Sequence, residues 1–328
     1  MRSLLIPFFI FIFNIHLQAY DMGRGVEIDE KLHLGGYFST DYEVSKNKKL
    51  FRLDDVALMA YGNLSDELSY MIELEAAPVY TYEFEADQEH NNLRFHKERV
   101  YVDYKYSDAL NVRVGKQITP IGYWNLEPIN VLRDTSSNPL LSNQMFPKFV
   151  SGIDIYGYVP NSESLSYHIF AQNNRDLDEE YINIKNKHFF GASLENEVDY
   201  NFQYGGSIGE FITDDAKRSR FIQLNIKYEM QAFTLQSEAV WSNIEDHNVN
   251  KTDYKFASYL QSLYRVDTKN SIVGRYEYFN DDALNSTQHI GIIGYSYRPI
   301  YSVSFKGEYQ LNSDSDLNKF LISFSVLF

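Results

Sequence analysis

The sequence predicts an all-β fold, a transmembrane antiparallel β-barrel of about sixteen strands with short turns at one rim and long loops at the other. Three observations carry this. Segments of about ten residues alternate apolar and charged side chains over most of the chain. The connectors between them alternate in length. Beyond the N-terminus no window approaches the ~18 consecutive apolar residues of a membrane helix, so any membrane insertion must use strands.

The elements follow in order. Arg2, the apolar run from Leu4 to Phe13, and Leu17-Gln18-Ala19 read as a signal peptide spanning 1–19. The run is shorter than the ~20 residues that a spanning helix needs. The chain is therefore expected to be exported, with 20–328 forming a single barrel domain. Loss of the segment removes Arg2, its only charge, and takes the formal net charge from −15 to −16.

Strands are expected near 31–42, 52–62, 67–77, 98–106, 109–118, 151–159, 164–173, 188–198, 200–211, 219–229, 232–243, 254–266, 270–279, 287–297, 300–310 and 318–328. In the third, Leu68, Tyr70, Ile72, Leu74 and Ala76 alternate with Ser69, Met71, Glu73 and Glu75. The tenth sets Ile222, Leu224, Ile226 and Tyr228 against Gln223, Asn225, Lys227 and Glu229. The fifteenth sets Val303, Phe305 and Tyr309 against Ser304, Lys306, Glu308 and Gln310. A helix would need spacings of three and four, which these segments lack. Short connectors fall at 63–66, 107–108, 161–163, 230–231, 267–269 and 298–299, and longer ones at 43–49, 78–97, 119–150, 174–187, 243–253, 280–286 and 312–317. Lipid offers no partner to an open sheet edge, so the sheet must close.

Composition fits that architecture. There are 27 Tyr and 23 Phe beside 45 acidic and 30 basic residues, and the mean hydropathy is −0.39. A barrel reconciles these numbers by showing aromatics to lipid and charges to the lumen and loops. The absence of cysteine excludes disulfides, Cys-zinc sites, iron–sulfur clusters and a thiol nucleophile. A strongly acidic chain does not suit nucleic acid. His33, His90, His96, His168, His188, His247 and His289 are dispersed, with no HExxH pair and no calcium loop, so neither a metal nor a cofactor is expected. An enzymatic alternative, a barrel lipase or protease, would draw on a Ser–His site around His168 or an Asp–His site near His247. Neither has a nucleophile motif around it.

Phe320, Ile322, Phe324, Val326 and Phe328 share one strand face, and the sequence ends on the last of them. This resembles bacterial outer-membrane porins, whose final aromatic residue is recognised by the barrel-assembly machinery. Within the porins, Phe51-Arg52-Leu53, Ala57 to Leu64 and Leu68 to Glu75 are similar to the second and third strands of the phosphate-selective porin O and P family. Val112 to Gly122 is similar to the family's strand ending in Gly, followed by Pro and a loop that folds into the pore, and Phe149 to Gly157 resembles its return strand. The resemblance implies a homotrimer in the bacterial outer membrane, surrounded by lipid and lipopolysaccharide, through which small hydrophilic solutes and ions diffuse passively. One departure matters. After Arg52-Leu53 the family is usually basic, whereas this chain has Asp54-Asp55. Bound phosphate needs converging Arg or Lys donors. The expectation is therefore a weakly cation-preferring or unselective pore, with an anion- or phosphate-selective one as the alternative.

If alternation holds, Arg99, Lys105, Arg113, Lys227, Arg275 and Lys306 face inward with Glu73, Glu75, Asp103, Asp154, Glu238, Glu277 and Glu308. Such a wall focuses potential in a narrow tube. The 119–150 connector is the expected constriction. It carries Tyr123, Trp124, Glu127, Arg133, Asp134 and Lys148 among many apolar residues that water would not hold in place.

Overall fold

The structure, a computed structural model, describes residues 20–21, 25–29, 31–90, 93–246 and 248–328. The expected signal peptide, 1–19, and His247 lie outside the described residues. Sixteen strands form the barrel: β1 (Leu32–Ser45), β2 (Lys48–Asn63), β3 (Leu68–Ala76), β4 (Phe95–Ser107), β5 (Leu110–Ile118), β6 (Phe149–Tyr158), β7 (Leu165–Gln172), β8 (Asn186–Asp199), β9 (Phe202–Thr213), β10 (Lys217–Met230), β11 (Phe233–Asp246), β12 (Lys251–Arg265), β13 (Asn270–Asp281), β14 (Ser286–Ile300), β15 (Val303–Asn312) and β16 (Lys319–Leu327). Each pairs antiparallel with the next, and β16 pairs with β1 from Lys319↔Ser45 to Leu327↔Tyr37. Phe328 finishes the seam, because its N–H and C=O both bond to the backbone of Gly36 at 2.7 Å. Closure leaves no edge to be unpaired in lipid, where each orphaned backbone group would cost several kcal/mol. A short strand, Gly25–Asp29, pairs with the start of β1, and a hairpin of Tyr80–Glu83 and Gln88–His90 extends the sheet beside β2.

The barrel is inside-out relative to a water-soluble protein. Leu58, Leu224 and Ile293 on the outer face are more than 60% exposed, while Gln223, Arg275, Lys306 and Glu308 on the inner face are buried. Aromatic residues gather toward both ends of the outer face. Tyr297, Phe305 and Phe324 meet near one rim, and Trp241 stacks on Tyr254 near the other.

Two expectations need correction. The loop asymmetry is concentrated in 77–94, 119–148 and 173–185, whereas β1–β2, β9–β10 and β13–β14 are joined by two to four residues. The expected connectors 43–49 and 243–253 are mostly strand, and 280–286 shrinks to a four-residue turn, 282–285. Apolar alternation stops at the edge of the lipid, but the hydrogen-bond ladder continues past it with charged side chains such as Lys251 and Asp253. Nor do all the aromatics face out. Phe170, Phe189, Phe211, Phe221 and Phe279 point into the barrel, and Gly191 and Gly209 make room for two of these rings, since a Cβ at either would lie 2.5 Å from Phe170 or Phe221.

Candidate functional site

The segment 119–148 lies inside the barrel. Its neck is pinned where the Thr119 N–H bonds to the Lys148 carbonyl at 2.9 Å and the Thr119 hydroxyl to Pro147 at 2.7 Å. Ile121, Trp124, Leu141, Met145 and Phe146 pack on the inward Phe170, Phe189, Phe211, Phe221, Val240, Ala257, Tyr259 and Phe279. On the opposite side, Ile129 and Val131 pack with Tyr37, Ala57, Met59 and Leu327. The segment thus spans the lumen between two apolar contacts, the hydrophobic effect holding each end. A 3-10 turn, Asn130–Leu132, and one short helix, Leu140–Gln144, are its only regular elements among the described residues.

Charged wall residues complete the attachment. Glu238 accepts from the amides of Tyr123 and Trp124 at 3.1 and 2.8 Å and from the Tyr259 hydroxyl at 2.6 Å. Gly122 permits this, because its φ of +65° suits glycine and a Cβ there would collide with the Glu238 carboxylate. Glu277 accepts from the Leu140 amide at 2.8 Å, and Glu308 from the amides of Ser136 and Ser137 at 3.0 and 3.2 Å. Arg275 donates to Thr135 and Ser137, bridges to Glu277 at 2.8 Å and lies 4.9 Å from the Trp124 ring centre. Lys306 donates to the Asn130 side chain at 2.6 Å, and Arg298 donates to the Leu132 carbonyl at 2.9 Å and forms an ion pair with Asp134 at 3.6 Å. Five of the residues expected from alternation, Glu238, Arg275, Glu277, Lys306 and Glu308, are therefore engaged with the inner segment.

The wall formed by β1 to β4 is different. Here a cavity of about 810 Å³ opens between wall and inner segment. Asp41, Asp54, Asp55, Glu75 and Glu98 line it together with Arg52, Arg133 and Lys148. The Tyr37 hydroxyl lies 3.1 Å from Glu75 and 2.8 Å from Glu98, and Tyr181 bonds to Glu75 from the 173–185 loop. Glu73 pairs with Arg99. Lys148 stands 3.5 Å from Glu98. Arg133 is buried against the Trp124 ring and bonds to the Glu127 carbonyl and to Asn138. Burial pulls its guanidinium down to about 10, opposed first by Glu98 and then by Glu127, so its charge persists at neutral pH. Glu127 is solvent-facing.

Asp55 and Glu98 were not legible by parity. The β1–β2 register shifts between Phe38 and Thr40, which sets Asp54 and Asp55 against Ser39, and the β3–β4 register shifts so that Glu98 has no partner across the ladder. These bulges turn carboxylates inward. Only the pairs Asp54-Asp55 and Glu98-Arg99, which break the charge alternation, hint at them in the sequence.

Nearer the short-turn rim, Arg113 pairs with Asp103 at 2.6 Å, Tyr156 bonds to Asp103 at 2.7 Å, and His168 bonds to Asp154 at 2.8 Å while stacking on Tyr156. Lys227 pairs with Glu229 at 2.6 Å. Lys105 lies at the rim itself, where its side chain is 65% exposed, pairs with Asp108 at 3.6 Å and lines a recess at the lumen mouth with Asn111, Tyr156 and His168, because β4 ends two residues later. Charges two apart on one strand therefore differ in their partners: Arg275 bridges Glu277 on its own strand, whereas Asp103 is taken by Arg113 of β5. The acidic 173–185 loop turns inward as well, with Asp176 on the buried Lys116 and Asp178 at 3.5 Å from His96.

A closed sixteen-stranded barrel with an inner segment across a charged lumen defines a bacterial outer-membrane porin, and its place is the outer membrane. The family model of the phosphate-selective porin O and P matches residues 26–181, just under half of the chain, and this protein is a porin resembling that family. The chain is similar in structure to an anion-selective porin from Comamonas acidovorans, with 12% identity over 90% of this chain and 99% of that one and a TM-score of 0.65. Salmonella typhi OmpF, solved with daunomycin, gives 12% identity over 92% and 99% and a TM-score of 0.65. The outer membrane channel DcaP of Acinetobacter baumannii gives 10% over 93% and 100%, also at 0.65. At such identities these likenesses speak for the fold. No curated protein matches the chain.

Proposed function

We propose that this porin is a passive diffusion channel for small hydrophilic solutes and ions, weakly cation-preferring, which performs no chemical turnover. The observation that carries the preference is the carboxylate wall of Asp41, Asp54, Asp55, Glu75 and Glu98 along the cavity beside the inner segment. In a narrow low-dielectric passage such a wall raises the local concentration of cations. The 119–148 segment sets the bore, with Arg133 and Lys148 bordering the passage, while Glu73, Arg99, Asp103, Arg113, Asp154 and Lys227 shape the field along the remaining wall. The working unit is a homotrimer in lipid and lipopolysaccharide, and Phe328 is the residue offered to the barrel-assembly machinery.

The anion- or phosphate-selective reading has support of its own, namely the family match and the Arg52, Arg133 and Lys148 side chains on the same cavity. Reversal potentials across a planar bilayer under a KCl gradient separate the two. Cation preference is expected. Clear anion preference, or block by micromolar phosphate, would overturn the proposal.

A further inference from the structure

We infer that the acidic wall of β1–β4 is a recognition site for solutes bearing a primary ammonium or guanidinium group, a reading that rests on the channel function proposed above. Three observations converge there. Both register shifts in this part of the barrel add a carboxylate to the inner face, Asp55 beside Asp54 on β2 and Glu98 on β4. Bulges interrupt the ladder, and they concentrate where a side chain must be re-aimed. Asp41 is 8% exposed, lines the cavity and has an Oδ1 that accepts no hydrogen bond. A carboxylate oxygen so enclosed calls for a donor.

The cations of the same cavity do not supply it, Lys48 included, whose ammonium forms no ion pair among the described residues. Lys148 is 3.5 Å from Glu98, Arg52 3.5 Å from Glu43 and Arg94 3.0 Å from Glu180, while Arg133 bonds within the inner segment. Among the described residues no ion pair reaches Asp41 or Asp54, and no group of side chains is arranged to hold a metal ion. The missing partner is therefore a cation with N–H donors, which hydrogen-bonds and neutralises at once. Size and charge alone would not satisfy the site.

The test compares 1,4-diaminobutane with its hexamethylated bis-quaternary analogue, which has the same charge and chain but no N–H, as blockers of KCl current through the purified porin in a planar bilayer. The diamine is expected to half-block at a concentration at least tenfold below that of the analogue. Asp41→Asn should raise the diamine's value at least tenfold and leave the analogue's nearly unchanged. Asp54→Asn serves as the second variant, and heat-modifiable gel mobility verifies that each barrel is folded. Equal block by the two cations, or no block by the diamine, overturns the site even where the reversal potential stays cationic. An anionic reversal potential instead overturns the channel reading beneath it.

Discussion

At the scale of single residues, the charges of the lumen divide by what holds them. Glu238 is bonded by two segment amides and a tyrosine hydroxyl, so it acts as a fixed anchor. Hydrogen bonds to a charged acceptor contribute about 1.5–3 kcal/mol each, and an unsatisfied buried donor costs a comparable amount. Glu238→Ala should therefore loosen the start of the inner segment, seen as a rise in open-channel noise and a lowered thermal unfolding midpoint in detergent. Asp54 is unpaired by comparison and lies on the open cavity. Replacing Asp54 and Asp55 together by Asn should reduce the K⁺/Cl⁻ permeability ratio measured from reversal potentials, with little change in unfolding temperature. A drop in stability without a change in ratio would show that these two are structural.

At the scale of elements, the inner segment and the aromatic wall depend on each other. Phe146 is fully buried between Met145, Leu141 and the ring of Phe221, whose centre is 5.9 Å away. A buried Phe→Ala exchange costs about 3–5 kcal/mol. The barrel ladder does not include Phe146, so the cost should fall on seating of the segment rather than on closure. Phe146→Ala is expected to give larger and less uniform single-channel conductance from a barrel that still shows heat-modifiable mobility. Phe189 and Phe211 lie beneath the segment, on β8 and β9, and shortening either should act in the same direction.

For the whole molecule, stability comes from a closed ladder and an apolar outer wall. Leu224 sits in the middle of β10 facing outward, and its neighbour Gln223 faces in. An arginine on the lipid face near the bilayer midplane costs about 2–4 kcal/mol. Leu224→Arg should lower the unfolding free energy obtained from urea titrations in lipid vesicles by that amount, while Gln223→Ala should cost far less. Phe328 closes the seam through two backbone bonds to Gly36 that any residue could make. Phe328→Ala should therefore reduce the amount of barrel assembled in the outer membrane more than it reduces the stability of barrels already formed, as judged by membrane fractionation against thermal unfolding.

The sequence by itself determined the strand count, the order of the strands, their antiparallel pairing and which face meets lipid. These follow from a period of two and from connector length, both local properties written in consecutive residues. It also marked 119–150 as unsuited to water. Only the tertiary structure decided what the inner face does. Alternation places Glu238 and Glu308 inward but cannot say that segment amides will meet them, because that contact joins residues more than a hundred positions apart. Single-residue bulges placed Glu98 and Asp55 on the lumen, and a bulge depends on the register of two strands rather than on either one. The Phe row from β7 to β10 is visible as apolar doublets such as Ile169-Phe170 and Phe189-Phe190. Its meaning required the loop that covers it, since hydrophobic burial is a property of the pair of surfaces and not of one strand.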